Sequence, residues 1–460
     1  MSVRNIGGWT AALVASCAIA ACSTAHVDTS PSVEAERAYA GLFPYYAELC
    51  AVSELKKKPG FGPDLASGFG GHAILYLNGV CRDRRAGYPV IGFCDDDAPP
   101  EERGVGLSVN AHYKNAIWVA TPGRDFLFHG TLQPGARLTR AVYEQTQAAA
   151  KAKGIYDGVE FHDGVFADMP PQTSRRDDMY EVSIATDYAI GFGRDRYCTR
   201  VPFDRERMAA LVAYLNGLNA PYRAGEKEFN WNVLNNNCSH VAHNALAAAG
   251  VWSEWPMERL ILLAAFSFPV PKNEFVNLAR RTNDMPIEDV AAVYDDPAAR
   301  AALLRYGWLP TAPGALAEAE PAAPRNDIYD TDLHLIFYDD PIFGVYQPRF
   351  ERIFAEPRYT DLEANLRYFA DLYRRIEASR RPRAEVAARR PPAEEASFGQ
   401  VYDRYYRYVA RASAAIDADL AMLARYRPAP PLSKREETVP PPSSAAPSLA
   451  VPGVSRDKGG

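Results

Sequence analysis

Apolar and polar positions along the chain switch between helical and strand periods. Tyr39, Leu42, Tyr46 and Leu49 recur at helical spacing and predict a helix over residues 36–55, kinked or split at Pro44. The run from His72 through Ala73, Ile74, Leu75, Tyr76 and Leu77 to Asn78 is apolar at both parities, as a central strand requires. Further strands are predicted over 104–113, 116–120 and 125–129. Thr139 starts a helix that ends near Gly154. Asp204 caps another, with Met208, Leu211, Val212 and Leu215 on one face. Residues 229–233 alternate strictly and read as a half-buried strand. A turn at Asn235, Asn236 and Asn237 then leads into an Ala-rich helix opened by Cys238 and ended by Gly250.

Past residue 285 the pattern changes. Residues 285–358 mix short helical pieces with aromatic, Asp-rich and Pro-rich loops, an accessory region without a clear period. A helix is predicted over 360–376, with a capping box from Thr360 to Glu363. Another is predicted over 396–426, the two forming a helical hairpin within 359–427. Residues 428–460 are rich in Pro, Ser and Ala without aromatics and read as a disordered tail. The main folded domain is expected over 36–284.

The first residues carry an address. Arg4 precedes a short apolar stretch over 9–21 that ends in Ala20-Ala21-Cys22-Ser23. That length suits a signal segment and is too short to span a bilayer. The pattern resembles a lipobox, which implies cleavage after residue 21, lipid on Cys22, a tether over 22–35 and a place on the bacterial outer membrane facing the periplasm. The lipid would make the membrane a partner of this chain. The longest later apolar run, 260–270, has eleven residues bounded by prolines and reads as a core helix. A net charge of −6 gives no reason to expect nucleic acid.

Cysteine usage is more specific. Of seven cysteines, Cys17 leaves with the signal and Cys22 takes lipid. Five remain, an odd number in an oxidising compartment, so one thiol is unpaired. Four of them, Cys50, Cys81, Cys94 and Cys198, allow three connectivities in two disulfides.

The odd thiol falls on Cys238, in the first turn of its helix. Unpaired backbone N–H groups there are expected to lower a thiol pKa and to favour an oxyanion. At about 100° per residue, Cys238 projects with Val241, Ala242 and Ala245 toward the sheet. His240 and His243 point elsewhere, and Cys238 and His240 lie about 160° apart, against a shared metal. Of the eight histidines, His72 is best placed to take the thiol proton.

A histidine opening a strand (Gly70-Gly71-His72-Ala73), followed much later by Asn237-Cys238-Ser239 at a helix start, resembles the circularly permuted papain-like cysteine enzymes. These include NlpC-type cell-wall peptidase relatives and the lecithin:retinol acyltransferase group; the closest likeness is to the Lnb N-terminal periplasmic domain. The resemblance covers about residues 60–255. It implies an α+β fold: an antiparallel sheet with the Cys-bearing helix packed on it, here followed by the helical hairpin and tail. Carried over by position, Cys238 is the nucleophile and His72 the base. A third polar residue orients the imidazole; Ser108, Asn110 and His112 share a face of the next predicted strand, with His112 favoured, then Asn110. Asn237 and Ser239 fall at the turn and the oxyanion position. No cofactor or metal is implied. The expected activity is a thiol hydrolase or acyltransferase acting through a Cys238 acyl-enzyme on an amide or ester, with peptidoglycan peptides or acyl lipids as substrates. The alternative is a non-catalytic periplasmic factor that binds or matures a partner protein.

Overall fold

The computed structural model describes residues 27–61, 71–233, 236–255, 270–331, 333 and 344–426. The segment expected to be a signal, with Cys22, most of the glycine-rich stretch before His72, the apolar run from 260 to 269, His334 and the tail from 428 lie outside the described residues.

The molecule is mixed α+β, with an antiparallel sheet and a long C-terminal helix. Six strands among the described residues form the sheet in the order β6-β5-β2-β1-β7-β8. They are β1 (Tyr46–Val52), β2 (His72–Asn78), β5 (Val105–Ser108), β6 (Val119–Pro122), β7 (Arg196–Pro202) and β8 (Leu316–Glu320). A small hairpin pairs β3 (Val80–Arg82) with β4 (Ile91–Phe93).

Both faces of the sheet are covered. On one, Ala73, Leu75 and Leu77 of β2 join Leu211 and Leu215 of α5 (Arg205–Arg223) and Val241 and Ala245 of α6 (Cys238–Ala248) in the main core. On the other, Tyr46, Cys50, Ile74 and Tyr76 pack on Leu127 and Phe128 of α2 (Arg124–His129) and on Tyr39 of α1 (Val33–Leu42).

That second face also buries charge. Glu48 of β1, Arg196 and Arg200 of β7 and Glu318 of β8 are each at most 5% exposed. Arg124 Nη2 donates to Glu48 and to Glu318 at 3.0 Å each. Arg200 pairs with Glu318 and Glu36, Arg196 with Glu320, and His129 Nε2 lies 2.7 Å from Glu320. Every charge thus has an opposite partner, without which burial would be prohibitive.

Several expectations are corrected here. Residues 36–55 form α1 and then β1, because β1 is buried at every position and shows no strand alternation. Residues 125–129 are helical in α2, as a short apolar run does not distinguish the two states. The strand expected over 104–113 ends at Ser108. Residues 229–233 form only the bridge of Asn232 to Asn236, with Trp231 and Val233 exposed. The region 285–358 supplies β8, so the sheet crosses the boundary expected at 284.

The C-terminal pair follows its pattern closely. Helices Leu362–Ala378 and Glu395–Tyr426 pack together, with Tyr373 and Tyr408 hydroxyls 2.8 Å apart. Asp361, rather than Thr360, caps the first by accepting from Ala364 N–H.

Candidate functional site

Asn237 sets the geometry of α6. Its Oδ1 accepts from the N–H groups of Ser239 (2.9 Å) and His240 (3.2 Å), and its Nδ2 donates to Val233 carbonyl at 2.6 Å. Both ends of one amide are therefore used, one on the helix and one on the turn before it, so Cys238 is held at the first helical position. Ser239 is buried, 1% exposed.

Disulfides join Cys50 to Cys198 and Cys81 to Cys94, one of the three connectivities left open by the sequence. Cys238 keeps a free, buried thiol. The α6 helix rests against β2, and the amide of Ala73 donates to Cys238 Sγ at 3.4 Å. The β2–β5 ladder pairs only Leu75 through Leu77, which leaves that amide for the sulfur. Burial pushes the thiol pKa up, against the downward pull of the Ala73 N–H. This corrects the expectation of a lowered value: desolvation outweighs the helix terminus.

His72, beside Ala73, is 7% exposed. Burial, reinforced by the positive charge of Arg194, lowers its pKa to about 3. The ring Nε2 lies 3.0 Å from Ser108 Oγ, and Ser108 Oγ donates to Asp187 Oδ1 at 2.6 Å. A hydroxyl has one proton to give, and the carboxylate can only accept. Ser108 therefore receives the Nε2–H of His72, which leaves the lone pair on Nδ1. That nitrogen makes no hydrogen bond among the described residues.

Asp187 is fully buried and anchors the line. Tyr156 hydroxyl donates to its Oδ2 at 2.8 Å, and Asn110 Nδ2 lies 3.5 Å from each of its carboxylate oxygens. Its carbonyl accepts from Thr121 Oγ1 at 2.8 Å. Ala185 and Ala189, on either side, have φ of 61° and 52°, a left-handed conformation that costs energy without glycine. Arg194, 1% exposed, donates Nε to Ala185 carbonyl at 2.7 Å and Nη1 to Ser53 carbonyl at 2.5 Å, tying the loop to the end of β1.

The candidates thus separate. Ser108 holds the imidazole, the place for which His112 and then Asn110 were favoured. Asn110 sits one step back, on Asp187. His112 packs near Phe161, with ring centroids 5.8 Å apart, and its Nδ1 is buried without a partner among the described residues. The physical reason is that β5 stops at Ser108, so the alternation that would have put all three on one face ends there. Asp187, Tyr156 and Arg194 carried no sequence signal; they are isolated residues brought in by separate connections between elements. His240 Nδ1 lies 3.2 Å from Asn237 Oδ1, and His243 Nδ1 lies 2.9 Å from Glu274, so the two rings serve different partners.

Comparisons with family models, with curated proteins and with solved structures returned no match.

Proposed function

We propose that this chain is a lipid-anchored envelope protein with a permuted papain-like domain, and that Cys238 acts as the nucleophile of a thiol hydrolase or acyltransferase. The observation that carries the reading is the proton line from Asp187 through Ser108 to His72, which fixes the imidazole as the tautomer with a free lone pair on Nδ1. Support also comes from the free sulfur at the helix start, lying against the backbone beside His72.

In the proposed reaction, Cys238 Sγ bonds to the carbonyl carbon of an amide or ester while His72 Nδ1 takes the thiol proton. The tetrahedral oxyanion collapses, the bond to the leaving amine or alcohol breaks, and His72 returns the proton to it. Water, or an amine acceptor, then attacks the thioester with His72 as base and restores the thiol. Both groups start neutral, so proton removal accompanies attack instead of preceding it. Peptidoglycan stem peptides and acyl lipids are the substrates within reach of an outer-membrane tether at Cys22.

One pair of observations favours a second reading, a non-catalytic periplasmic binding or maturation factor. The thiol pKa is raised and that of the imidazole lowered, which stabilises an uncharged, inert pair. Ala73 shares the core cluster of Cys238, whereas His72, the neighbouring strand position, engages Ser108. Reaction requires Nδ1 to reach the sulfur past the strand end.

Incubation of the mature chain with p-nitrophenyl esters and with muropeptides, followed by intact-mass measurement, separates the two. The hydrolase reading expects an acyl adduct on Cys238 that His72→Ala slows at least hundredfold. No adduct, or one indifferent to His72, leaves the binding factor. Cys22→Ala is expected to move the protein out of the membrane fraction; retention there would remove the lipid anchor.

A further inference from the structure

A cavity of about 500 Å³ lies apart from the cysteine, walled by Phe61, Val165, Met169 and Val182. Asp178 of α4 (Arg175–Ser183) lines it. This residue is 4% exposed, and its carboxylate makes no hydrogen bond among the described residues. Its neighbour Glu181 has Lys57 Nζ at 2.7 Å, Tyr143 hydroxyl at 2.9 Å and Gln147 Nε2 at 2.7 Å. His112 lines the same cavity.

A carboxylate that faces a cavity and meets no donor among the described residues is open to a donor from a ligand. Burial raises the pKa of Asp178, and the nearby Glu181 raises it further, an influence that Lys57 offsets only in part. Burial likewise lowers the pKa of His112, so its ring is uncharged. The Asp178 carboxylate can therefore take hydrogen bonds from a ligand, and the His112 ring sets no positive charge against a cation. An ammonium has three donors and no acceptor, and an apolar wall suits the stem behind it. Among the lining residues the opposing charge is Arg140, which is exposed and lies over the rings of Phe61 and Tyr143, 5.1 and 5.7 Å from their centroids. Asp168, also exposed at the rim, offsets it.

We propose that this cavity binds a primary ammonium group carried on an apolar stem, with Asp178 as its counter-ion. The site does not depend on whether Cys238 reacts. It does border the segment carrying the proton line, because His112 lies two residues beyond Asn110, whose amide contacts Asp187.

The test is titration of the mature chain with n-pentylamine, 1-pentanol and pentanoate by calorimetry, with the His112 ring signals followed by NMR. The amine is expected to bind at least tenfold more tightly than the alcohol and to shift His112. Asp178→Asn should bring amine and alcohol within about twofold, since it removes the charge that the amine pairs with. Equal affinity of amine and alcohol, or an unchanged amine affinity in Asp178→Asn, overturns the proposal. So does tighter binding of pentanoate, which would assign the cavity to Arg140. Should Asp178→Asn fail to fold, Val165→Trp fills the cavity from its half-buried wall; amine binding that survives it places the ligand elsewhere and ends the proposal.

Discussion

At the scale of single residues, the argument turns on which group can accept a proton. Ser108 is a relay between an acceptor-only carboxylate and an imidazole, so its effect is on tautomer and orientation. Asp187→Asn would offer Ser108 a donor in place of an acceptor and let the ring turn over. If the hydrolase reading holds, kcat/KM for ester cleavage is expected to fall on the order of 10²-fold. Ser108→Thr, which keeps the hydroxyl, should restore much of what Ser108→Ala loses. Equal losses in both would make the position one of packing. The histidines also predict a pH response. His72 and His240 have pKa values lowered by burial to about 3 and about 4, below the ordinary 6.5. For a base lowered on folding, the neutral folded form is favoured, so the stability is fully present above 6.5 and is lost as pH falls toward those values. Tm should therefore begin to decline below about pH 6.5, and His72→Gln should flatten part of that decline. A Tm constant from pH 7 to 5 would contradict the buried, neutral ring.

At the scale of elements, two local devices hold α6 and β1 where the site needs them. The Asn237 side chain satisfies two amides of the first turn and bonds the preceding strand-like segment. Asn237→Ala is expected to cost about 1–2 kcal/mol of stability, and Asn237→Asp about half of that or less, measured by urea denaturation. The Cys50–Cys198 bridge joins directly paired residues of β1 and β7, 148 residues apart in the chain. Chain entropy for a loop of that length gives about 5 kcal/mol as an upper figure. Cys50→Ala/Cys198→Ala should approach that loss, and clearly exceed that of removing Cys81–Cys94, which closes a separation of only 13. The reverse order would mean the long loop is already ordered in the unfolded chain.

At the scale of the whole molecule, the sheet is joined by buried charge as much as by apolar packing. Burial alone would raise the Glu318 carboxyl, but Arg200, Arg124 and Arg196 hold it well below the usual range. Glu318→Gln leaves those arginines short of a counter-charge, with an expected loss of about 3–5 kcal/mol. For an acid lowered on folding, the contribution is present above its unfolded value and lost as pH falls below about 4.5, adding to the histidine effect at lower pH. Because Glu318 and Glu320 come from β8, a chain ending at residue 284 should fail to fold, leaving Arg196 and Arg200 buried beside an open sheet edge. A soluble, cooperative fragment of that length would show that β8 is an accessory to a complete domain.

Helices with one polar face were legible in the sequence: those capped by Thr139 and Asp204 followed from apolar spacing and a cap, and the C-terminal pair from apolar spacing. The unpaired Cys238 followed from cysteine arithmetic and its helical position. Of the strands buried on both sides, β2 was legible from its unbroken apolar run, whereas β1 and β7 were not. Residues 46–52 lack alternation, and β7 carries two arginines that read as surface although they are almost fully buried. Their partners come from α1, α2, β1 and β8, and a charge is cheap to bury only when such distant groups converge, which no local pattern encodes. The same holds at the site. Sequence alone determined a cysteine at a helix start and a histidine opening a strand. Only the tertiary structure decided that Ser108 and Asp187 hold that histidine, because hydrogen-bond partners are chosen by proximity in space, and the loop carrying Asp187 is placed by Arg194 and Thr121.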